Sequence, residues 1–196
     1  MKSGGTDAQR YTVDRWWSQN PTLAVWAIEV ITKYLPRAVR NGADEEARTM
    51  MAYAENVAGM AFSNAGLGMV HAMAHALGGH YNLPHGVCNA VLLPYVLRFD
   101  AKRREFADRF ETLAAAMGII PVSQSAAEAV VAKIESMNQE IGISPKLSDL
   151  DKVSPADFKA LTALAMHDTC MASNLVTVTA QEVESVYAAA YQGTRS

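Results

Sequence analysis

The stretch Gly66–Gly86, GLGMVHAMAHALGGHYNLPHG, carries His71, His75, His80 and His85, four of the five histidines in the 196-residue chain. His71 and His75 are four residues apart, so on a helix they share one face. The spacing predicts a helix over about residues 66–77, stopped by Gly78-Gly79, with a turn at Asn82-Leu83-Pro84. That turn lets the chain fold back and bring His85 near His71. Neutral imidazole suits iron, zinc, copper and nickel, so the pattern can hold a metal. It is equally the pattern of ordinary helix and loop residues, and spacing alone does not separate the two. His80 reads as a loop or pocket-wall residue.

Two lookalike motifs fail on these residues. A zinc protease needs H-E-x-x-H with Glu as general base. Position 72 is Ala, and Tyr81 stands where the longer metzincin motif needs a further histidine. GLGMVH begins like a dinucleotide-binding GxGxxG, but the third glycine is missing and no strand precedes it.

Working outward, helix signals recur. Asn20-Pro21 marks a helix start, with Asn as cap and Pro in the first turn. Leu23, Trp26, Ala27, Val30 and Ile31 follow at i, i+3, i+4 spacing. Asn41-Gly42 stops that helix, Asp44 caps the next, and Asn64-Ala65-Gly66 ends it. Residues 85–100 read as a helix kinked or slowed at Pro94. Further helices are expected at about 101–117, 122–141, 154–173 and 180–192. Ser154 caps the seventh, with Pro155 in its first turn and Asp157 in the capping-box position. Thr179 caps the last. The one strand candidate is Leu175–Thr179. The expected fold is a single all-α bundle with short connections.

Composition narrows the function. The formal charge is −3 and no basic stripe appears, which argues against nucleic acid. No run of 18 apolar residues exists, so no membrane span is expected. The opening residues lack the apolar core of a signal peptide. Cys88 and Cys170 form no CxxC framework, which suits a reduced, cytoplasmic setting. Cys88 reads as a small buried hydrophobe. Met50, Met51, Met60, Met69 and Met73 fall at helical spacings and read as core. Trp16 and Trp17 suit either a cleft lining or simple packing. Residues 1–5 read as a tag or linker remnant, and residues 6–196 as one helical domain.

The segment from Ala58 to Asp100, AGMAFSNAGLGMVHAMAHALGGHYNLPHGVCNAVLLPYVLRFD, resembles the signature of the iron-containing (group III) alcohol dehydrogenases. The resemblance continues through REFADRFETLAAAMG, IESMNQEIGISPKLSDL and AMHDTCMASNLVTVTAQEVESVYAAAY, and covers nearly the whole chain from Asn20. It implies the C-terminal helical, metal-binding domain of a two-domain enzyme whose N-terminal half binds the dinucleotide. In such a family the first and third histidines of H-x3-H-x9-H ligate the metal, here His71 and His85. The middle one, His75, lies near nicotinamide and substrate and serves in proton relay.

The family's remaining ligands come from T-D-A-x-x-H, which reads here Thr6-Asp7-Ala8-Gln9-Arg10-Tyr11. Asp7 matches, while Tyr11 replaces the histidine. Tyrosine is protonated near pH 7 and is a poor neutral donor to Fe(II). The implied cofactors are Fe(II), or zinc in its place, and NAD(P). The implied chemistry interconverts a primary alcohol and its aldehyde, with iron as Lewis acid and hydride transfer to NAD(P). No glycine-rich phosphate loop or βαβ unit occurs in these residues. The dinucleotide site is therefore expected to be mostly absent and the isolated chain inactive. The expected partners are a small alcohol or aldehyde, and either the missing N-terminal domain or a second copy of the chain. A contrasting expectation is a truncated, non-catalytic helical domain with a structural or oligomerising role.

Overall fold

A computed structural model describes residues 21–120 and 125–194. Asp7, Tyr11, Trp16, Trp17 and the Asn20 cap lie outside the described residues, as does the expected helix start at 122. Among the described residues the chain is all-helical with no strand, and Leu175–Thr179 is irregular. No helix among the described residues is long and apolar enough to cross a membrane.

Helices α1 (Pro21–Arg40) and α2 (Glu45–Ala65) form an antiparallel hairpin across Asn41–Asp44. Asp44 caps α2 by accepting from the Ala47 amide at 3.0 Å. The same carboxylate accepts from Arg37 Nη2 at 2.9 Å, and that nitrogen also donates to Glu46 at 2.8 Å. The end of one helix is thus tied to the start of the next. Val30, Tyr34, Ala47 and Ala54 fill the seam between them.

The entry to the next helix explains the glycines of the Gly66-Leu67-Gly68 stretch. Gly66 has φ +80°, and a Cβ there would lie 2.5 Å from the Ser173 Cβ. A Cβ on Gly68 would lie 2.7 Å from Asn174 Oδ1. That oxygen accepts from the Met69 amide at 2.9 Å, an amide left open at the helix N-terminus. Ser173 Oγ donates to the Leu67 carbonyl. The two glycines therefore make room for the 173–174 turn.

Helix α3 (Met69–Tyr81) runs through Gly78-Gly79 instead of stopping there. Its terminator is Asn82, left-handed at φ 55°, whose amide donates to the Gly78 carbonyl. Gly78 has a different task. A Cβ on it would lie 3.2 Å from the Leu83 carbonyl, so its bareness lets the chain turn back tightly. Helix α4 (His85–Ala101) follows at once and continues past Pro94. Proline lacks the amide that would bond the carbonyl four residues earlier. Asn138 Nδ2 donates to that Ala90 carbonyl at 2.7 Å and restores the lost bond.

A 3₁₀ turn at Arg104–Phe106 leads into α5 (Ala107–Ala116). Helix α6 (Ala126–Glu140) opens with a complete capping box between Ser125 and Glu128. Phe106, Phe110, Ala114 and Val130 make a small core between α5 and α6. The expected helix 154–173 is three pieces: a 3₁₀ turn Pro155–Asp157, α7 (Phe158–His167) and a second 3₁₀ turn Thr169–Ser173. Asp168 breaks it. Its backbone is extended (ψ 142°) and its side chain accepts from the Cys170 amide, capping the following turn. Ser154 accepts from the Ala156 amide, but the Asp157 carboxylate takes the Tyr81 hydroxyl at 2.6 Å, so the expected box is not formed.

Helix α8 (Ala180–Gln192) begins with the expected Thr179 cap, and Glu182 completes a capping box with it. The largest core lies where α3, α4, α7 and α8 meet, and includes Met69, Met73, Leu77, Leu92, Leu161 and Tyr187. Tyr187 is fully buried, stacks on Phe158 at 5.9 Å, and donates to the Met73 carbonyl at 2.7 Å. That bond and the surrounding packing fix α3, the helix that carries two of the histidines. Met69 and Met73 are core as expected and Met50 and Met51 are half-buried, but Met60 is 52% exposed on α2.

Candidate metal centre

His71 and His75 sit one turn apart on α3, and His85 is the first residue of α4. The Gly78–Pro84 return brings all three rings together. Their centroids are 5.5 Å apart for His71–His85, 5.1 Å for His75–His85 and 6.1 Å for His71–His75. Two imidazoles bound to one ion at about 2.1 Å hold their centroids roughly 3 Å from it, hence about 5 Å apart at a tetrahedral angle. The His71–His85 separation fits one shared cation.

The electrostatics suit ligands. Burial pushes the His71 pKa down, and the neighbouring His85 and His75 push it further, against the opposing pull of Asp168. His71 is thereby biased to the neutral, lone-pair-bearing form that binds metals. Asn89, one turn into α4, donates to the His85 carbonyl at 3.0 Å and sets its amide against the His85 ring. A cavity of about 780 Å³ opens between His71, His85 and Asn89 on one side and Met51, Glu55 and Phe62 of α2 on the other. A second, mainly apolar groove of about 590 Å³ borders His71 and is lined by Met69, Leu93, Leu97 and Phe110.

Sequence reasoning missed Asp168. Its Oδ2 lies 2.9 Å from His75 Nδ1, and its Oδ1 accepts from the Cys170 amide at 2.8 Å. An ionised carboxylate only accepts, so Nδ1 of His75 bears the proton and Nε2 of the neutral ring is an acceptor. For Asp168 itself, burial raises the pKa, but the Cys170 amide and the His75 and Cys170 side chains outweigh it, and the net direction is down. The carboxylate is thus held ionised beside the ring. Ninety-three residues separate the pair in sequence. The available signal was local: Asp followed by Thr at the end of an apolar helix is a capping pattern.

His80 does not join the cluster. It is exposed in the last turn of α3, not in a loop, with its ring edge-on to Tyr81 and Nε2 3.8 Å from Asp157. His167 is occupied with the Ala163 carbonyl at 2.8 Å. Cys88 is fully buried and burial raises its pKa, which makes it the inert packing residue its sequence context predicts.

An all-helical unit that converges imidazoles from one helix and the start of the next is the architecture the 66–86 signature implied. Residues 15–191 match the family described as Fe-containing alcohol dehydrogenase family, C-terminal, and the chain belongs to that family. Alcohol dehydrogenase 4 of Schizosaccharomyces pombe is 45% identical over 191 residues, which are 95% of this chain and 44% of that protein. The 1,3-propanediol dehydrogenase of Klebsiella pneumoniae is 42% identical over 195 residues, 95% of this chain and 50% of that protein. The crystal structure of a 1,3-propanediol oxidoreductase superimposes with a TM-score of 0.83 at 38% identity, over 96% of this chain and 51% of the other. The chain therefore spans about half the length of the curated relatives it matches.

Proposed function

We propose that this chain is the metal- and substrate-binding half of an iron-dependent, NAD(P)-linked alcohol dehydrogenase acting on a small primary alcohol or its aldehyde. The supporting observation is the convergence of His71, His85 and His75, with His75 oriented by Asp168. His71 and His85 hold the metal together with Asp7, while Tyr11, at the position of the family's remaining histidine, is a poor donor to it. A bound Fe(II) supplies Lewis acidity that makes an alcohol hydroxyl acidic near neutral pH.

The chain's own residues handle the proton. With Nδ1–H engaged by Asp168, His75 presents Nε2 to a hydroxyl proton or to a water carrying it. The Asp168 carboxylate stabilises the imidazolium so formed. Because the His75 side chain is 38% exposed, the proton can pass on to solvent. Aldehyde reduction runs the same transfer backwards. Phe62 and Met51 border the cavity beside the two histidines.

The dinucleotide does not fit these residues. Gly66 and Gly68 are taken up by Ser173 and Asn174 of the same chain, so they offer no cradle for a pyrophosphate. Hydride transfer therefore needs a nucleotide-binding half, and residues 6–196 alone are expected to turn over no alcohol. The lack of a CxxC framework around Cys88 and Cys170 accords with a cytoplasmic enzyme.

Anaerobic loading with Fe(II), desalting and elemental analysis test the ligand assignment. The expected result is about one iron per chain, lost in His71→Ala and in His85→Ala. Equal iron in the variants and the unaltered protein would instead favour the reading of a purely structural helical domain.

A further inference from the structure

Next to the two-histidine centre lies a second group of metal-ligating atoms that the alcohol dehydrogenase chemistry does not use as ligands. We propose that His75, Asp168 and Cys170 form a second site, for a thiophilic divalent cation such as zinc, whose filling takes His75 out of the proton relay. One ligand atom from each residue lies within 4.8 Å of the other two. Donors around a tetrahedral zinc stand roughly 3.3–3.8 Å apart, so the three atoms close on an ion with shifts of about 1 Å.

The local fold builds this cluster. Asp168 ends α7 and caps the 3₁₀ turn, and that turn puts Cys170 two residues on, beside the same carboxylate. The three residues now share protons: the His75 imidazole and the Cys170 thiol both hydrogen-bond to Asp168. Each shared proton occupies a position that a cation can take. On binding, the Cys170 S–H bond breaks, the sulfur–metal bond forms on the thiolate, and the proton leaves to solvent. Nδ1 of His75 binds through its lone pair in the other tautomer.

Donor chemistry separates this site from the neighbouring one. A thiolate selects zinc or cobalt over harder cations. Three protein ligands leave one coordination position for water, the pattern of an open site. The Asp168 side chain is 20% exposed and that of His75 38%, so an ion has access. The site uses neither His71 nor His85, and it stands or falls without the iron assignment.

Co(II) is the probe, because a thiolate ligand gives it a near-ultraviolet charge-transfer band that imidazole and carboxylate do not. The full chain carrying His71→Ala and His85→Ala is titrated with Co(II), with far-ultraviolet circular dichroism reporting the fold. One cobalt per chain, with the band present and one proton released, is expected. Cys170→Ser should abolish the band, and Asp168→Ala should weaken binding at least tenfold. Where the double alanine variant does not fold, the otherwise unaltered chain and its Cys170→Ser and His75→Ala variants are compared for the same band. A folded chain without the band at saturating Co(II), or a band that survives Cys170→Ser, overturns the proposal.

Discussion

Asp100 is an ionisable group placed against the stability of the fold. It lies in the last turn of α4, where the helix dipole disfavours a negative charge. It also lines the apolar groove with Leu97 and Phe110. Burial raises its pKa from 3.8 to about 6, against a smaller lowering by Arg103. The folded protein therefore holds this proton more tightly than the unfolded chain does. Stability is fully present below about pH 4 and is lost as pH rises through 6. A gap of about two pH units at 1.4 kcal/mol each makes the cost about 3 kcal/mol at pH 7.5. Asp100→Asn keeps the shape and removes the charge. It should stabilise the protein by about 2–3 kcal/mol at pH 7.5 and by close to nothing at pH 4. Urea unfolding of both proteins at the two pH values measures this. A gain of equal size at both, or a loss at pH 7.5, would refute the burial argument.

Other substitutions probe the parts that hold the histidine helix. Tyr187→Phe removes the bond to the Met73 carbonyl and should cost about 1–1.5 kcal/mol in denaturant unfolding, with the buried ring retained. Gly66→Ala forces a Cβ onto Ser173 at a positive φ and should cost about 2–4 kcal/mol by the same assay. Thr179→Ala opens the α8 capping box and should cost about 1 kcal/mol, read as a lowered melting temperature.

Features with local causes were legible in the sequence. The i, i+4 histidines, the Asp44 and Thr179 caps and the return at Asn82–Pro84 each depend on residues close along the chain. Two readings failed where a distant contact decides. Gly78 passes as a helix stop until Leu83 folds back against it and shows that it serves a close approach. At Pro94 the carbonyl that the proline leaves open is met by Asn138 of α6, a partner no spacing shows. The 154–173 helix hides its break because Asp168 turns outward to cap the next turn and hold His75. The converging histidines were legible in outline, since H-x3-H-x9-H carries them. The carboxylate that orients His75 was not, because a partner 93 residues away leaves no trace in spacing.

X-ray absorption at the iron edge, on the Fe(II)-loaded chain, tests the centre most directly. The coordination proposed here predicts outer-shell scattering from two imidazoles at bond lengths near 2.1 Å, no sulfur neighbour, and no such imidazole signal in His85→Ala, which loses the iron. A spectrum of oxygen ligands alone, unchanged by His85→Ala, would show that the converging rings of α3 and α4 hold no metal.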